Sequence, residues 1–485
     1  MTGRAFLGID CGTQSTKAIV LDAESGGPIA VGRGSHRLID GADGTREQEP
    51  SWWTDALVVA VRQALAATSD IQVVGMGVSG QQHGLVCLDE RDRPVRPAKL
   101  WNDTTTTEAC ASLTERLGGV QALLGLTGNV FLPGYTAPKV EWLRVREPDR
   151  YARARRFCLP HDYVNLWLTG VFATEPGDAS GTAYFDVRDR RYSEPVLEAL
   201  DPERDWADTL PDVVPSRSVL GTLREASARE LGLPPGVPVS AGGGDNMCAA
   251  IGVGAIREGP VVVSLGTSGT AFAYRDRPAF DPDAEAAAFC DSTGGWLPLA
   301  CTLNCTGVTE WALTLAGRGH RALDQALRSS PPGARGLAFL PYLDGERTPS
   351  CAAGSATLTG LRSEHGISDI LRAAMEGVTF GLGYALAALR RTGVRPTEVT
   401  LVGGGAASDG WAQLCADALE LPVTRSGAIE AAGIGAALQA RWAIDGRAPD
   451  EPRKGRRFEP RPTDALREAA SRVAGLRRLA LDGRL

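Results

Sequence analysis

No stretch of this 485-residue sequence approaches the roughly 20 consecutive apolar residues that a membrane-spanning helix needs. Insertion into a bilayer is therefore not expected. Met1 is followed almost at once by a strand-like run, Ala5 to Ile9, which leaves no space for the charged and apolar regions of a signal peptide, so the expected location is the cytoplasm. Surplus positive charge is missing too. The formal net charge is −7, whereas a nucleic-acid partner demands a concentrated basic surface; no such partner is expected. The run Arg453-Lys454-Gly455-Arg456-Arg457 reads as a solvated turn. The ten cysteines include no Cys-x-x-Cys, and scattered thiols fit a reducing compartment. Cys301 and Cys305, the one close pair, lack partner ligands for a metal and read as buried packing. Also missing are G-x-x-x-x-G-K-[ST], H-E-x-x-H and G-x-S-x-G, which excludes a P-loop, a zincin helix and a nucleophile elbow.

What the chain does contain is one pattern written twice. Asp10-Cys11-Gly12-Thr13-Gln14-Ser15-Thr16-Lys17 lies near the start, and Ser264-Leu265-Gly266-Thr267-Ser268-Gly269-Thr270 past the middle. Each follows an apolar run (Ala5 to Ile9; Val261 to Val263) and opens into a second one (Ala18 to Leu21; Ala271 to Tyr274). Both read as hairpins with a Gly-Thr turn. Glycine lets backbone N–H groups face outward, and the hydroxyls with Lys17 add donors suited to phosphate oxygens. Two such turns facing each other can hold a triphosphate from both sides.

With 43% hydrophobic and 22% charged residues, the composition is that of a globular protein, and its length exceeds one ordinary core. Two domains are expected, of strand-then-helix α/β construction. A helix is predicted over Ser51 to Ala67 and a buried strand over Ile71 to Val78. From Leu100 to about Gly221, helical stretches broken by Pro133, Pro138, Pro148, Pro160 and Pro176 read as an insertion carrying substrate contacts. The boundary falls after the Pro/Gly-rich connection Leu233 to Val239. Further on come a helical region from about Thr309, a helix from Ser368 to Leu389 with Ser368 as N-cap, and a strand over Val399 to Val402. That strand runs into Gly403-Gly404-Gly405-Ala406-Ala407-Ser408-Asp409, a glycine turn before a helix, which suits an anion. Helices over Ala432 to Trp442 and at the charged C-terminus end the chain. Gly377 and Gly381 read as close helix packing.

Three polar residues stand out, each with a plainer alternative. Asp10 ends the first strand, where it can hold Mg²⁺ beside a phosphate turn or merely cap the hairpin. Asp245 follows three glycines; it can take the proton of an attacking hydroxyl or serve as a helix N-cap. His83, one of five histidines, can hydrogen-bond a neutral polyol or be structural. Gly75-x-Gly77-x-x-Gly80 fits a dinucleotide fingerprint, but no helix pattern opens there, so it is dismissed.

Taken in order, Gly8-Ile9-Asp10-Cys11-Gly12-Thr13, Ser79-Gly80-Gln81-Gln82-His83-Gly84, Leu100-Trp101-Asn102-Asp103, Gly134-Tyr135-Thr136-Ala137-Pro138-Lys139, Gly242-Gly243-Gly244-Asp245-Asn246, Ser264 to Gly269 and Leu340 to Pro349 resemble the FGGY family of carbohydrate kinases. The likeness spans nearly the whole chain and is strongest to the members that act on xylulose. It implies the two-domain actin/Hsp70/sugar-kinase (ribonuclease H-like) α/β fold, duplicated, with a cleft between the halves. Residues 1–244 would be the sugar-binding domain and 245–485 the nucleotide-binding one. The implied reaction is ATP-dependent phosphorylation of D-xylulose on its C5 hydroxyl, with Mg²⁺. The alternatives are the same chemistry on another ketose, polyol or sugar acid such as ribulose, glycerol or gluconate, or a non-catalytic sugar- and nucleotide-binding regulator, against which the intact Asp10 and Asp245 speak. By the resemblance, Asp245 is the catalytic base and Asp10 supports metal and nucleotide, directly or through water. Gln82, His83, Trp101, Asp103 and Asn246 meet the sugar. Gly12, Thr13, Gln14, Ser15, Lys17, Gly266, Thr267, Gly404, Gly405 and Asp409 line the nucleotide. Glycerol kinases place an Arg-Glu pair where this sequence has Gln82-His83, which favours the ketose. One signature departs after Lys139-Val140-Glu141-Trp142, where Val145 and Arg146 do not follow it; the second, with Gly360-Leu361, Asp369-Ile370-Leu371 and Glu376, fits. A homodimer is a further expectation.

Overall fold

A computed structural model describes residues 3–68, 70–427, 430–450 and 454–485, with Lys454 described by its backbone alone. Both Gly-Thr hairpins form. Gly3–Cys11 runs antiparallel to Ser15–Asp22 with Asp10 opposite Lys17, and Pro260–Leu265 runs antiparallel to Gly269–Ala273 with Leu265 opposite Gly269.

The duplication extends far beyond these turns. In the first sheet the order is Val219–Thr222, Pro238–Ser240, Ile71–Gly80, Gly3–Cys11, Ser15–Asp22, Pro28–Ser35, with Gly243–Gly244 also pairing the 71–80 strand. In the second it is Lys454–Phe458, Val423–Ser426, Glu398–Val402, Pro260–Leu265, Gly269–Ala273, Leu299–Thr302. Each sheet therefore carries three antiparallel strands, then two parallel neighbours, then an antiparallel edge. Parallel neighbours require long crossovers, and helices Pro50–Ala66 and Ile367–Arg391 lie in the corresponding connections.

Several expectations need correction. Lys454 to Arg457 form the edge strand of the second sheet rather than a turn, paired from Phe458 opposite Val423 to Lys454 opposite Ser426; Arg453 lies outside the described residues. The long helix begins at Ile367 after an N-cap at Gly366, and Ser368 is its second residue. The cap comes from Asp369, whose carboxylate accepts the Gly366 N–H at 3.0 Å. Prolines 148, 160 and 176 open helices instead of breaking them, because a first-turn residue needs no N–H bond and proline's fixed φ is already helical. Gly377 is a close-packing site, since a Cβ would stand 2.1 Å from Phe339 O, but Gly381 meets nothing within 4 Å.

Helix Ala431–Asp445 belongs to the second half in sequence and to the first sheet in space. It lies on strands Gly3–Cys11 and Ile71–Gly80 and against helix Asp245–Gly252. Approach is close enough that a Cβ on Gly77 would come within 2.2 Å of Ala436 O, and one on Gly435 within 1.7 Å of Cys248 O. This packing, not a dinucleotide, explains the glycine at 77. Apolar clusters fill each half, around Leu7, Ile9 and Val78 in one and Val263, Leu371 and Leu401 in the other. A third joins insertion residues Tyr135, Val140 and Phe157 to Val262 and Phe272 of the second sheet.

Candidate active site

Three neighbouring strand ends set the site. Asp10 is in register with Ser79, Gly243 with Ser79, and Gly244 with Gly80. Asp10, the segment Gln81-Gln82-His83 and Asp245 thus leave one sheet edge at the same level, at the carboxyl ends of its parallel strands, where open α/β sheets present ligands.

Asp245 opens helix Asp245–Gly252. Its Oδ1 accepts the Asn246 N–H at 2.7 Å and Asn246 Nδ2 at 3.0 Å, and the same amide donates to Gln82 Oε1 at 2.9 Å. Burial, then the charge of Asp10, push Asp245 up to about 7 against the helping bonds from Asn246. Asp10 is pushed up to about 6 by burial, opposed by Lys17. The Lys17 ammonium lies 3.9 Å from Asp10 and donates to Glu430 at 2.6 Å. Two carboxylates with a raised affinity for protons, at neighbouring strand ends, are equally suited to a cation or to proton transfer.

Gln82 Nε2 is buried with no hydrogen-bond partner, a donor without an acceptor. His83 sits at φ 66°, and its carbonyl takes Lys139 Nζ at 2.6 Å and Thr136 Oγ1 at 3.1 Å. The ring stacks on Tyr135 at 4.5 Å and near Phe289 at 5.9 Å. Its Nδ1 is 2.8 Å from Gly181 O, so Nδ1 donates and Nε2 remains an acceptor. Burial, with Lys139 nearby, lowers the imidazole to about 3, so it is neutral. A neutral ring with a free acceptor beside an unpaired amide donor matches hydroxyl groups.

Trp101 Nε1 donates to Thr13 Oγ1 at 3.0 Å, and that hydroxyl donates to Gln81 Oε1 at 3.2 Å. Gln48 Nε2 holds the Thr13 carbonyl at 2.8 Å. The first turn is therefore braced from behind; Gln14 at its tip is exposed, Ser15 buried, and Gly12 half-buried. Asp103 is fully buried, and its carboxylate is engaged within the protein, taking Lys99 at 3.0 Å, the Arg46 N–H at 2.9 Å and Thr105.

In the second half, Thr306 donates to Gly266 O from both N–H (2.9 Å) and Oγ1 (2.8 Å), fixing the turn whose next residue, Thr267, is exposed. The turn at Gly404 and Gly405 packs on the same strand end: a Cβ on Gly405 would be 2.8 Å from Leu265 Cβ. Gly266, Thr267, Gly404 and Gly405 are thus neighbours. Asp409 lies further out, paired with Arg425 at 2.6 Å and with Arg456. Cys301 and Cys305 are free thiols; Cys305 is buried as expected of a packing residue, whereas Cys301 is only partly buried.

Sequence reasoning missed Phe289, Glu430, Asp178 and His161 near this site, and quoted Tyr135 without singling it out. Only the Pro160-His161-Asp162 start of a helix and the Asp178-Ala179-Ser180-Gly181 turn gave any local signal.

Two sheets of matching order, each with a Gly-Thr hairpin, and acids at the strand ends between them define the actin/Hsp70-like fold of sugar kinases. Residues 5–252 match the N-terminal domain, and 261–444 the C-terminal domain, of the FGGY family of carbohydrate kinases; the chain belongs to that family and is an ATP-dependent sugar kinase. It is 43% identical to a xylulose kinase of Haemophilus influenzae over 90% of each chain. A xylulose kinase of Streptomyces rubiginosus is 40% identical over 92% of this chain and 89% of that one. The crystal structure of a xyloylose kinase from Brucella ovis superposes with a TM-score of 0.91 at 34% identity, covering 97% of this chain and 98% of that one.

Proposed function

We propose that the protein transfers the γ-phosphoryl group of MgATP to the C5 hydroxyl of D-xylulose, giving D-xylulose 5-phosphate and ADP. The observation that carries the reading is the shared level of Asp10, Gln82-His83 and Asp245 at adjacent strand ends, together with similarity to several xylulose kinases. Asp245 takes the hydroxyl proton as the oxygen bonds to phosphorus and the bond to the β-phosphate oxygen breaks. Gln82 Nε2, His83 Nε2 and Asn246 orient the sugar, with Trp101 and Asp103 shaping the wall behind. The backbone around Gly12 to Lys17 and Gly266-Thr267 faces the phosphates, with Gly404, Gly405 and Asp409 on the nucleoside side. The first-half residues 1–244 supply mainly sugar contacts and residues 245–485 mainly nucleotide contacts. Asp10 suits Mg²⁺, directly or through water: burial raises its carboxylate's affinity for a proton even with Lys17 3.9 Å away. The ion would neutralise phosphate charge there. The reading is of a cytoplasmic homodimer, and ten unpaired cysteines fit a reducing compartment.

ADP release measured against a panel of ketoses, polyols and sugar acids tests the substrate. Selective turnover of D-xylulose is expected; preference for ribulose, glycerol or gluconate would replace it.

A further inference from the structure

Under the floor of the cleft lies a charged group that the reaction above does not use. His161, in the first turn of helix Pro160–Thr169, is fully buried. It is wedged against both strand ends that carry the site: a Cβ on Gly80 would fall 2.7 Å from the His161 Cβ, and one on Gly242 2.7 Å from its Nε2. That Nε2 lies 2.7 Å from Ala241 O and so carries a proton. Nδ1 lies 3.2 Å from Asp162 Oδ1 and 3.4 Å from Asp178 Oδ2. An unprotonated nitrogen there would set its lone pair against two carboxylates, so the ring is an imidazolium. Burial alone would push it down, but the adjacent carboxylates of Asp162 and Asp178 hold it well above the usual imidazole range.

Asp162 is otherwise engaged, accepting the Leu159 N–H at 2.9 Å. Asp178 is not. It is fully buried with neither oxygen in a well-formed hydrogen bond, and its Oδ1 would stand 3.0 Å from a Cβ on Gly244, the residue before Asp245, beside the Gln82 side chain. Its backbone is fixed by Glu175, which accepts the N–H groups of Gly177 and Asp178 at 2.9 and 2.7 Å.

We propose that His161 and Asp178 act as a buried positioning pair, in which the imidazolium ties its helix to the strand end leading to Asp245 and keeps Asp178 ionised behind Gly244 and Gln82. Gln82 and Asp245 then meet the acceptor hydroxyl at a fixed separation. The inference rests on Asp245 being the base. It does not depend on which sugar is used.

The test takes as acceptor whichever sugar the wild-type protein phosphorylates fastest. Asp178→Asn and His161→Gln should each lower kcat about 10²-fold, the scale of a misplaced reacting group, with the KM for ATP within twofold of wild type. His161→Lys, which keeps a buried cation, should recover to within tenfold. The double variant Asp178→Asn/His161→Gln should be no slower than the slower single one, since the two act as a unit. The idea is overturned if Asp178→Asn stays within threefold of wild type, if His161→Lys is as slow as His161→Gln, or if the two losses multiply. It is equally overturned if lost turnover merely tracks lost nucleotide-binding molecules, or if purified protein holds a stoichiometric metal where the Nδ1 proton is assigned. Should His161→Gln not fold, Asp178→Asn and His161→Lys decide. Failure of wild-type protein to phosphorylate any sugar sinks the proposed function instead, a separate result.

Discussion

A carboxylate that accepts a proton at neutral pH must be less acidic than a solvated one, and Asp245 meets that requirement through burial and the charge of Asp10. Asp245→Ala should lower kcat by about 10²- to 10⁴-fold while calorimetry still detects sugar and nucleotide binding; near wild-type turnover would remove the base from the mechanism. The same raised value works against stability. Unfolded Asp245 loses its proton near the ordinary aspartate value of 3.8 and the folded residue only near 7, so the folded state is progressively penalised as pH rises from about 4 to about 7, and fully above that. Asp245→Asn should therefore raise Tm at pH 8, without Mg²⁺ or nucleotide, and the gain should vanish at pH 4. A gain equal at both values contradicts the assignment. Asp10→Ala should raise the Mg²⁺ concentration needed for half-maximal turnover; an unchanged titration curve tells against its metal role.

At the scale of elements, glycine spacing means opposite things in two helices. Gly435 of Ala431–Asp445 has backbone where its Cβ would go, 1.7 Å from Cys248 O, whereas Gly381 of Ile367–Arg391 faces open space. Gly435→Ala should cost about 1–3 kcal/mol by forcing the helix off its neighbour. Gly381→Ala should stabilise by up to about 1 kcal/mol through helix propensity. Denaturant unfolding of both variants checks the pair: equal signs would refute the packing described. Strands and long helices were legible because period and turn residues are local. The edge strand at 454–458 was not, because a short basic run owes its β structure to pairing with Val423–Ser426. Ser368 misled for a related reason, the reciprocal Gly366–Asp369 cap having displaced it.

For the whole molecule, function depends on two matching sheets with a cleft between, and helix Ala431–Asp445 crosses from one half of the sequence to the other's sheet. Lys17 and Glu430 add an ion pair across the same crossing. Closure around sugar and nucleotide would exclude water as a competing acceptor. ATP hydrolysis without sugar should thus be far slower than sugar phosphorylation, and small-angle scattering should show a smaller radius of gyration with sugar plus a non-hydrolysable ATP analogue than with neither.

By itself the sequence determined the duplication, both hairpins, the first strand that carries Asp10, the buried strand that follows the first helix, and the family, because those signals lie within a few consecutive residues. Only the tertiary structure decided that Asp103 and Asp409 are engaged by basic partners, that Gln82 and Asn246 share a hydrogen bond 164 positions apart, and that His161 and Asp178 lie behind the strand end leading to Asp245. Such pairings depend on where the chain returns in space, and burial, which sets the charge of each carboxylate, exists only once it has.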